Sequence, residues 1–266
     1  MALIRFGEQR LVRPGRRVER ALFQIMGVAE PAHYLHSQYL IRALDQLQPS
    51  NPAKILDAGC GSGDYSFYLA RRYPDAQIVG IDIDPDLIET NRKHADLLEL
   101  TNVQFEVGDL SELTYAAEFD LVVSIDVLEH IVKQEAALRN LAEALRPGGV
   151  GFYHIPTVRE IPVPFSKHLG GFHAWAEDEH LAEDLTADGF TRRVTESGLE
   201  VTSTLHTFGR RTGELATSLF ALTWERTLAN KLLQGFLAPA CRLLAMADML
   251  QWDRPRYAVA LHVRKP

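Results

Sequence analysis

Residues 55–66 read Ile55-Leu56-Asp57-Ala58-Gly59-Cys60-Gly61-Ser62-Gly63-Asp64-Tyr65-Ser66, and the rest of the chain can be interpreted from them. An apolar run ends in a carboxylate, three glycines follow at alternate positions, and a segment compatible with a helix comes next. This order predicts a strand, a tight turn and a helix N-terminus. Because glycine accepts positive φ and lets a ligand approach the backbone, the stretch predicts a site for a nucleotide-like ligand.

The glycine spacing distinguishes between two kinds of ligand. A dinucleotide fingerprint, G-x-G-x-x-G, requires its third glycine at position 64, where this chain has Asp64. A carboxylate suits a helix N-terminus but is a poor neighbour for a pyrophosphate. The turn therefore favours a ligand with a cationic amino acid end and no phosphate.

Strands and helices alternate from residue 53 onward. The pattern predicts strands at 53–57, 77–82, 103–107, 119–125, 150–155, 199–205 and 256–264, and helices at 64–72, 85–98, 131–145 and from Ala187 to Gly198. Such alternation predicts an α/β fold, a doubly wound and mostly parallel sheet with its ligand at the carboxyl ends of the strands.

Four further motifs follow the glycine turn in order. Asp82 ends the second strand, where its carboxylate can bind both hydroxyls of a ribose, whereas Asp84 before Pro85 fits better as a helix cap. The other three motifs are Gly108-Asp109-Leu110, the segment Ser124-Ile125-Asp126-Val127-Leu128-Glu129-His130, and Leu145-Arg146-Pro147-Gly148-Gly149.

These five motifs, spread over residues 53–155, resemble those of the class I S-adenosylmethionine (SAM) methyltransferases. The resemblance implies their seven-stranded sheet, SAM as methyl donor and S-adenosyl-L-homocysteine as product. It implies that Asp82 binds the ribose, that Asp109 binds the adenine amino group with Leu110 packing on the ring, and that Ser124 and Ile125 lie beneath the methionine part. The donor-binding residues implied are Asp57, Ala58, Gly59, Cys60, Gly61, Gly63, Asp82, Ile83, Asp109, Leu110, Ser124 and Ile125.

Segments on either side of the core, taken as residues 53–207, are expected to serve the acceptor. Residues 1–52 form a basic segment, loosely ordered at its start, and helices at 18–27 and 32–47 that resemble the lid of small-molecule methyltransferases, with Tyr34 or Tyr39 over the donor. Residues 208–255 predict a helical insertion split at Pro239. It could be a substrate cap, a homodimer interface, a face lying on a membrane, or simple packing on the sheet. Residues 256–266 supply the last strand.

Proton-accepting residues are expected near the acceptor, because a base assists transfer to oxygen or nitrogen. The candidates are His130, His154 and His180, with His173, Tyr153 and Asp126 in the same segments. Alternatively, Asp126, Glu129 and His130, completed by His180, could hold a divalent ion. That motif resembles the metal site of methyltransferases that modify the 3′-terminal 2′-hydroxyl of small RNAs. A metal is not expected, because the same Leu-Glu-His-Ile text is common in family members without one.

Composition limits the remaining classes. The 266 residues carry a net charge of −7, with +4 in residues 1–20 and +5 in residues 210–266, which leaves −16 between them. The acidic body argues against a nucleic-acid partner. Two cysteines provide no disulfide framework, and no signal-peptide core or apolar run of about 18 residues occurs.

Together these observations predict a cytoplasmic SAM-dependent methyltransferase acting on O, N or C of a small or lipid-like acceptor, with peripheral membrane contact through residues 208–255 left open. The alternatives are a metal-assisted RNA 2′-O-methyltransferase, a nicotinamide dehydrogenase disfavoured by Asp64, and a non-catalytic SAM-binding module.

Overall fold

A seven-stranded sheet organises the molecule. The computed structural model describes residues 6–12, 32–47, 52–157, 186–212, 228–250 and 256–266, with positions 49, 214, 215 and 218. The strands are β1 (Lys54–Ala58), β2 (Gln77–Asp82), β3 (Val103–Val107), β4 (Phe119–Ile125), β5 (Leu145–Pro156), β6 (Glu200–Gly209) and β7 (Arg256–Arg264). Their order is β3-β2-β1-β4-β5-β7-β6, and β7 runs antiparallel to both of its neighbours. The predicted α/β fold with a mostly parallel sheet is confirmed.

Six α-helices whose full extent lies among the described residues accompany the sheet. They are α1 (Ala32–Leu47), α2 (Asp64–Arg72), α3 (Pro85–Leu97), α4 (Gln134–Ala144), α5 (Ala187–Glu196) and α6 (Leu228–Met249). Asp84 caps α3 by accepting hydrogen bonds from the amides of Asp86 and Leu87 at 2.8 and 3.2 Å. Thr186 caps α5 in the same way, and Gly198, with φ of 91°, follows its end, as predicted.

The strand order places the candidate site. β1 lies between β2 and β4, so the chain leaves β1 toward one edge of the sheet for β2 and β3 and returns to the other side for β4. A crevice forms outside the carboxyl ends of the strands where the order reverses in this way. The glycine turn, Asp82 and Ser124 therefore meet at one end of the sheet.

The middle strands have apolar runs because helices cover both faces of the sheet. Leu121, Val122 and Val123 of β4 are completely buried, and they alternate between two apolar clusters on opposite faces. This burial leaves only the ends of the strands for polar side chains with a chemical role.

Three local predictions are wrong. Pro239 lies inside one continuous helix, α6, and does not split it. A proline removes one backbone donor and kinks a helix without having to end it. The helix predicted at 131–145 begins only at Gln134, after a separate 3₁₀ turn at Leu128–His130, and β5 begins at Leu145, whereas the pattern predicted a strand only from residue 150.

A buried polar cluster attaches α6 to the rest of the protein. Asp248 is completely buried, and its carboxylate accepts hydrogen bonds from the Tyr39 and Thr212 hydroxyls and from the Phe208 and Gly209 amides at 3.2 and 2.7 Å. The Arg256 guanidinium lies 3.3 Å away. Tyr39 therefore anchors α1 to α6, and this places it in the core, not over a bound donor.

The remaining predictions for the flanking segments have mixed outcomes. Residues 18–27 lie outside the described part, as do the side chain of Tyr34 and the segment with His173 and His180. Strand β6 extends two residues past the expected core boundary at residue 207. No described helix is long and apolar enough to cross a bilayer.

Candidate donor and acceptor site

The glycine turn is held by the backbone of β2. The amides of Gly59 and Cys60 both donate to the Ile81 carbonyl at 2.8 Å, and the Gly63 amide donates to the Cys60 carbonyl at 2.8 Å. The φ angles of Gly59, Gly61 and Gly63 are 79°, 49° and 78°. All three lie in the left-handed region that favours glycine, as the sequence pattern requires.

The three glycines have different surroundings. A Cβ atom on Gly59 would lie 2.3 Å from Cγ1 of Val127, and one on Gly63 would lie 2.7 Å from the Phe67 ring. A Cβ atom on Gly61 would meet nothing within 4 Å. Gly59 and Gly63 are therefore required by packing, whereas Gly61 leaves open space in which a ligand can approach the backbone.

Asp82 lies beside this open space. Its Oδ2 accepts a hydrogen bond from the Gly61 amide at 2.8 Å, and its Oδ1 accepts one from the Asp84 amide at 3.0 Å. A carboxylate offers about four acceptor positions, so each oxygen can accept a further donor such as a ribose hydroxyl. The side chain of the neighbouring Ile83 is 69% exposed, so it is accessible to a ligand that binds here.

Two of the expected donor-binding residues are buried and form hydrogen bonds with residues on either side of the glycine turn. Asp57 is buried and accepts a hydrogen bond from the Ser66 hydroxyl at 2.5 Å. Burial raises the pKa of Asp57 to about 7, with the Ser66 hydrogen bond opposing the rise and the Asp82 charge adding to it. Ser124 is also buried, and its hydroxyl donates to the Ala58 carbonyl at 3.1 Å.

Asn91 is a turn-supporting residue that sequence reasoning missed. It is buried on α3, and its side-chain amide donates to the Gly61 carbonyl at 2.7 Å. The available signal was an amide on the apolar face of a helix, since a buried amide requires hydrogen-bond partners. Asn91 fixes the orientation of the peptide that follows Gly61.

The third motif forms a capped turn. Asp109 accepts a hydrogen bond from the Ser111 amide at 2.7 Å and so caps the 3₁₀ turn Leu110–Glu112. Leu110 is buried, and its carbonyl accepts a hydrogen bond from the Asn140 side chain at 3.0 Å. The Asp109 carboxylate is fixed by its own turn at the end of β3.

A second group of polar side chains is built around Asp126, which follows β4. Its φ of 54° is uncommon for a residue other than glycine, and such strain is concentrated at functional sites. Its Oδ1 lies 2.6 Å from Nδ1 of His154, and Nε2 of His154 lies 2.8 Å from the Thr207 hydroxyl. The side chain of His154 is 3% exposed and that of Asp126 is 35% exposed. Asp126 is therefore the member of this chain of hydrogen bonds that reaches solvent.

Glu129 and His130 lie in the 3₁₀ turn that follows. Glu129 is buried, and its Oε2 atom finds no hydrogen-bond partner among the described residues. Burial raises the pKa of Glu129 well above its usual range, and the charge of Asp126 adds to the rise. Nε2 of the half-exposed His130 lies 3.7 Å from Oε1 of Glu129.

The alternative metal site does not form within the described residues. No three His, Cys, Asp or Glu side chains among them are grouped so that they could hold a metal ion. Asp126 is instead bonded to His154. The proposed fourth ligand, His180, lies outside the described part of the chain.

Comparison with known proteins identifies the family of this chain. A family model described as a methyltransferase domain matches residues 49–185. Trans-aconitate 2-methyltransferase of Deinococcus radiodurans is 36% identical over 141 residues, which cover 49% of this chain and 52% of that protein. A ubiquinone biosynthesis O-methyltransferase of Xanthomonas axonopodis pv. citri is 33% identical over 147 residues, covering 54% and 59%. The chain thus spans only about half the length of these relatives.

A solved structure shares the fold. It is that of phosphoethanolamine N-methyltransferase 2 of Haemonchus contortus in complex with S-adenosyl-L-methionine, with a TM-score of 0.62 and 15% identity. The likeness covers 97% of this chain and 60% of that one.

Proposed function

Since the chain belongs to the methyltransferase domain family, we propose that it transfers a methyl group from SAM to an O, N or C atom of a small-molecule acceptor. The open space at Gly61, between the positive-φ turn and the Asp82 carboxylate, is the observation that carries the proposal. The class I family prediction made from the motifs is confirmed by the family match.

The residues around the turn fit this donor. The Asp82 carboxylate can accept the two ribose hydroxyls, and the exposed Ile83 offers an apolar surface to the adenine. Asp109 and Leu110 come just after the end of the next strand, β3, as the motif order requires. SAM also carries a sulfonium and an ammonium group, and the acidic side chain of Asp82 would lower the cost of holding these charges near a partly buried surface.

Proton removal is assigned to Asp126. When bound, SAM supplies an activated methyl group on a positively charged sulfur. His154 orients Asp126 by its hydrogen bond to Oδ1, so that the partly exposed carboxylate can take the proton of an O–H or N–H acceptor. Both ring nitrogens of His154 are engaged, with Asp126 and Thr207, which suits an orienting residue better than a base. His130 remains a second candidate, and no described contact supports a role for His180.

The candidates for the acceptor come from the acceptors for which the relatives are named. One relative is named for trans-aconitate and another for O-methylation in ubiquinone biosynthesis, which favours a small oxygen acceptor. The solved neighbour is instead named for N-methylation of phosphoethanolamine. A lipid-like acceptor fits the exposed apolar side chains of α6, among them Phe236, Leu243 and Met246. Homodimer contact through the same residues stays a prediction.

Titration calorimetry with SAM, S-adenosyl-L-homocysteine and NAD tests the donor. Micromolar binding of the first two and none of NAD is expected. Asp82→Ala is expected to weaken SAM binding strongly while the thermal unfolding midpoint stays close to that of the unaltered protein, since Asp82 is only partly buried. Unchanged SAM affinity in Asp82→Ala would exclude the ribose assignment.

A second assay tests transfer. Release of S-adenosyl-L-homocysteine is followed with trans-aconitate, phosphoethanolamine and 3,4-dihydroxybenzoate, each with and without EDTA. Turnover of one acceptor that persists in EDTA is the expected result. Loss of turnover in EDTA would revive the metal alternative, and tight SAM binding with no turnover would favour a non-catalytic module.

A further inference from the structure

Residues 6–12, for which the sequence predicts a loosely ordered basic segment, are packed against the start of α2. Phe6 is buried and stacks on the Tyr68 ring with centroids 4.1 Å apart and planes inclined by 19°. It also contacts the edge of Tyr65, at 5.9 Å. We refer to residues 6–12 as the strap. The prediction of loose order is wrong for this segment, because an apolar anchor and polar contacts fix it.

The polar contacts of the strap end on the glycine turn. The Gln9 side-chain amide donates to the Ser62 carbonyl at 3.1 Å and to Oδ1 of Asp64 at 2.9 Å. The Arg10 guanidinium donates to both oxygens of Asp64, at 3.1 and 2.5 Å, and to the Ser62 hydroxyl at 2.8 Å. Gln9 is itself 1% exposed. Two side chains of the strap thus bind Ser62, between Gly61 and Gly63, and the carboxylate of Asp64.

Burial makes these contacts important. The side chain of Asp64 is 7% exposed, and a carboxylate at that depth needs a charged partner and hydrogen bonds. Arg10 supplies both from 54 positions earlier in the chain. Removing Arg10 would leave a buried carboxylate without its charged partner next to the donor turn, so the ordering of the strap and the ordering of the turn depend on each other.

The turn is consequently held from two sides. Asn91 binds the Gly61 carbonyl from the side of α3, and Gln9 binds the next carbonyl, that of Ser62, from the strap. A turn fixed in this way before binding loses less conformational entropy when a ligand arrives. The basic strap therefore supports the donor site, and its Arg10 forms an ion pair with Asp64.

We propose that the strap is part of the donor site, with Gln9 and Arg10 as positioning residues whose docking on Ser62 and Asp64 keeps the glycine turn in its SAM-binding conformation. The inference rests on the proposed function only in taking SAM as the ligand of the turn. Because coupling between two binding events is reciprocal, SAM must strengthen docking of the strap by the factor by which docking strengthens SAM binding.

The first experiment compares SAM affinity by calorimetry in Arg10→Met and in the control Arg139→Met, which alters an exposed arginine on α4. Arg10→Met is expected to bind SAM at least tenfold more weakly, whereas Arg139→Met matches the unaltered protein. Arg10→Lys keeps the charge but loses the planar fork of donors, so its affinity should fall between the two.

The second experiment needs no variant. Amide hydrogen exchange is measured at Arg10 and Val12, whose amides donate to the Gly7 and Gln9 carbonyls within the strap. Saturating SAM should slow exchange at these amides by a factor similar to the affinity lost in Arg10→Met. If Arg10 contributed only to global stability, SAM would not slow exchange specifically at these two strap amides. The measurement therefore separates that role from positioning of the turn.

The outcomes separate this inference from the proposed function. Failure of the unaltered protein to bind SAM would overturn both. Normal SAM binding in the unaltered protein, together with undiminished affinity in a folded Arg10→Met and unchanged exchange in the strap, would overturn the strap alone and leave the donor assignment standing.

Discussion

Replacing Gly61 by alanine tests where the donor lies. Gly61 has φ of 49°, and an added methyl group would meet no protein atom within 4 Å. If that space is where the donor approaches the turn, the methyl group overlaps the ligand. Gly61→Ala should therefore damage SAM binding much more than it damages folding.

The two effects can be estimated separately. The left-handed backbone costs a residue with a Cβ atom about 1–2 kcal/mol, so the free energy of unfolding should fall by about that amount. Forcing one extra methyl group against a well-packed neighbour typically costs about 1–3 kcal/mol, which corresponds to about 5- to 150-fold in affinity. Gly59→Ala would differ, because its Cβ atom would lie 2.3 Å from Val127 and folding itself would suffer.

Gly148→Ala is the matched control. Gly148 also has positive φ, 78°, and a Cβ atom added to it would also meet nothing within 4 Å, but it lies at the opposite end of the sheet, in the first half of β5. Urea unfolding should show similar losses for both variants, and calorimetry should show weakened SAM binding only for Gly61→Ala. Equal SAM affinity in the two variants would refute the placement of the donor against this turn.

Two further substitutions test the carboxylates. Asp126→Asn keeps an oxygen that can accept the His154 N–H hydrogen bond, but it cannot take a proton. Turnover of an O–H or N–H methyl acceptor should therefore fall by about 10²–10⁴ with SAM affinity unchanged. The substitution Asp96→Asn, at an exposed position, is its control, and full turnover in Asp126→Asn would rule out the assigned base. Asp57→Asn tests linkage: since the folded pKa is raised from 3.8 to about 7, the folded state holds a proton that the unfolded state has lost between these pH values. The free energy of unfolding of the unaltered protein should therefore lose, from this group, up to about 1.4 kcal/mol per pH unit as the pH rises through this range. Urea unfolding at several pH values should show Asp57→Asn gaining stability relative to the unaltered protein as the pH rises, and parallel profiles would contradict the buried, proton-holding Asp57.

The core of the fold was predictable because its signals are local. An apolar run such as residues 121–123 forms a strand that is buried because helices cover both faces of the sheet. The three glycines indicate positive φ, and all three adopt it. Cap residues such as Asp84 and Thr186 act within three residues of themselves, so their sequence context was sufficient.

The predictions that failed depended on distant partners. Pro239 was expected to break a helix, but propensity is a weak prior beside tertiary packing, and the buried Asp248 near the end of α6 fixes that helix to α1 and β6. Tyr39 had the features of a lid aromatic, yet its hydroxyl binds Asp248, 209 positions later. No spacing rule connects residues so far apart.

His154 shows the same limit within the site. Its position at the end of β5 predicted a residue near the acceptor, and it does lie beside Asp126. Its role depends on Thr207, which lies on β6 and engages the second ring nitrogen. The side chain that reaches solvent is therefore Asp126. That Asp126 is accessible while His154 is buried can be seen only in the assembled sheet.

The sequence by itself determined the positions of the core strands, the glycine turn, the placement of Asp82 at the end of a strand, and the family. Each of these depends on backbone preferences and on residues only a few positions apart. Tertiary structure alone decided that Arg10 pairs with Asp64, that Asn91 and Gln9 hold neighbouring carbonyls of the turn, and that His154 is engaged on both sides. These choices follow from burial: once a carboxylate, amide or imidazole leaves water, it must find partners, and which partner is within reach is set by how the strands and helices pack.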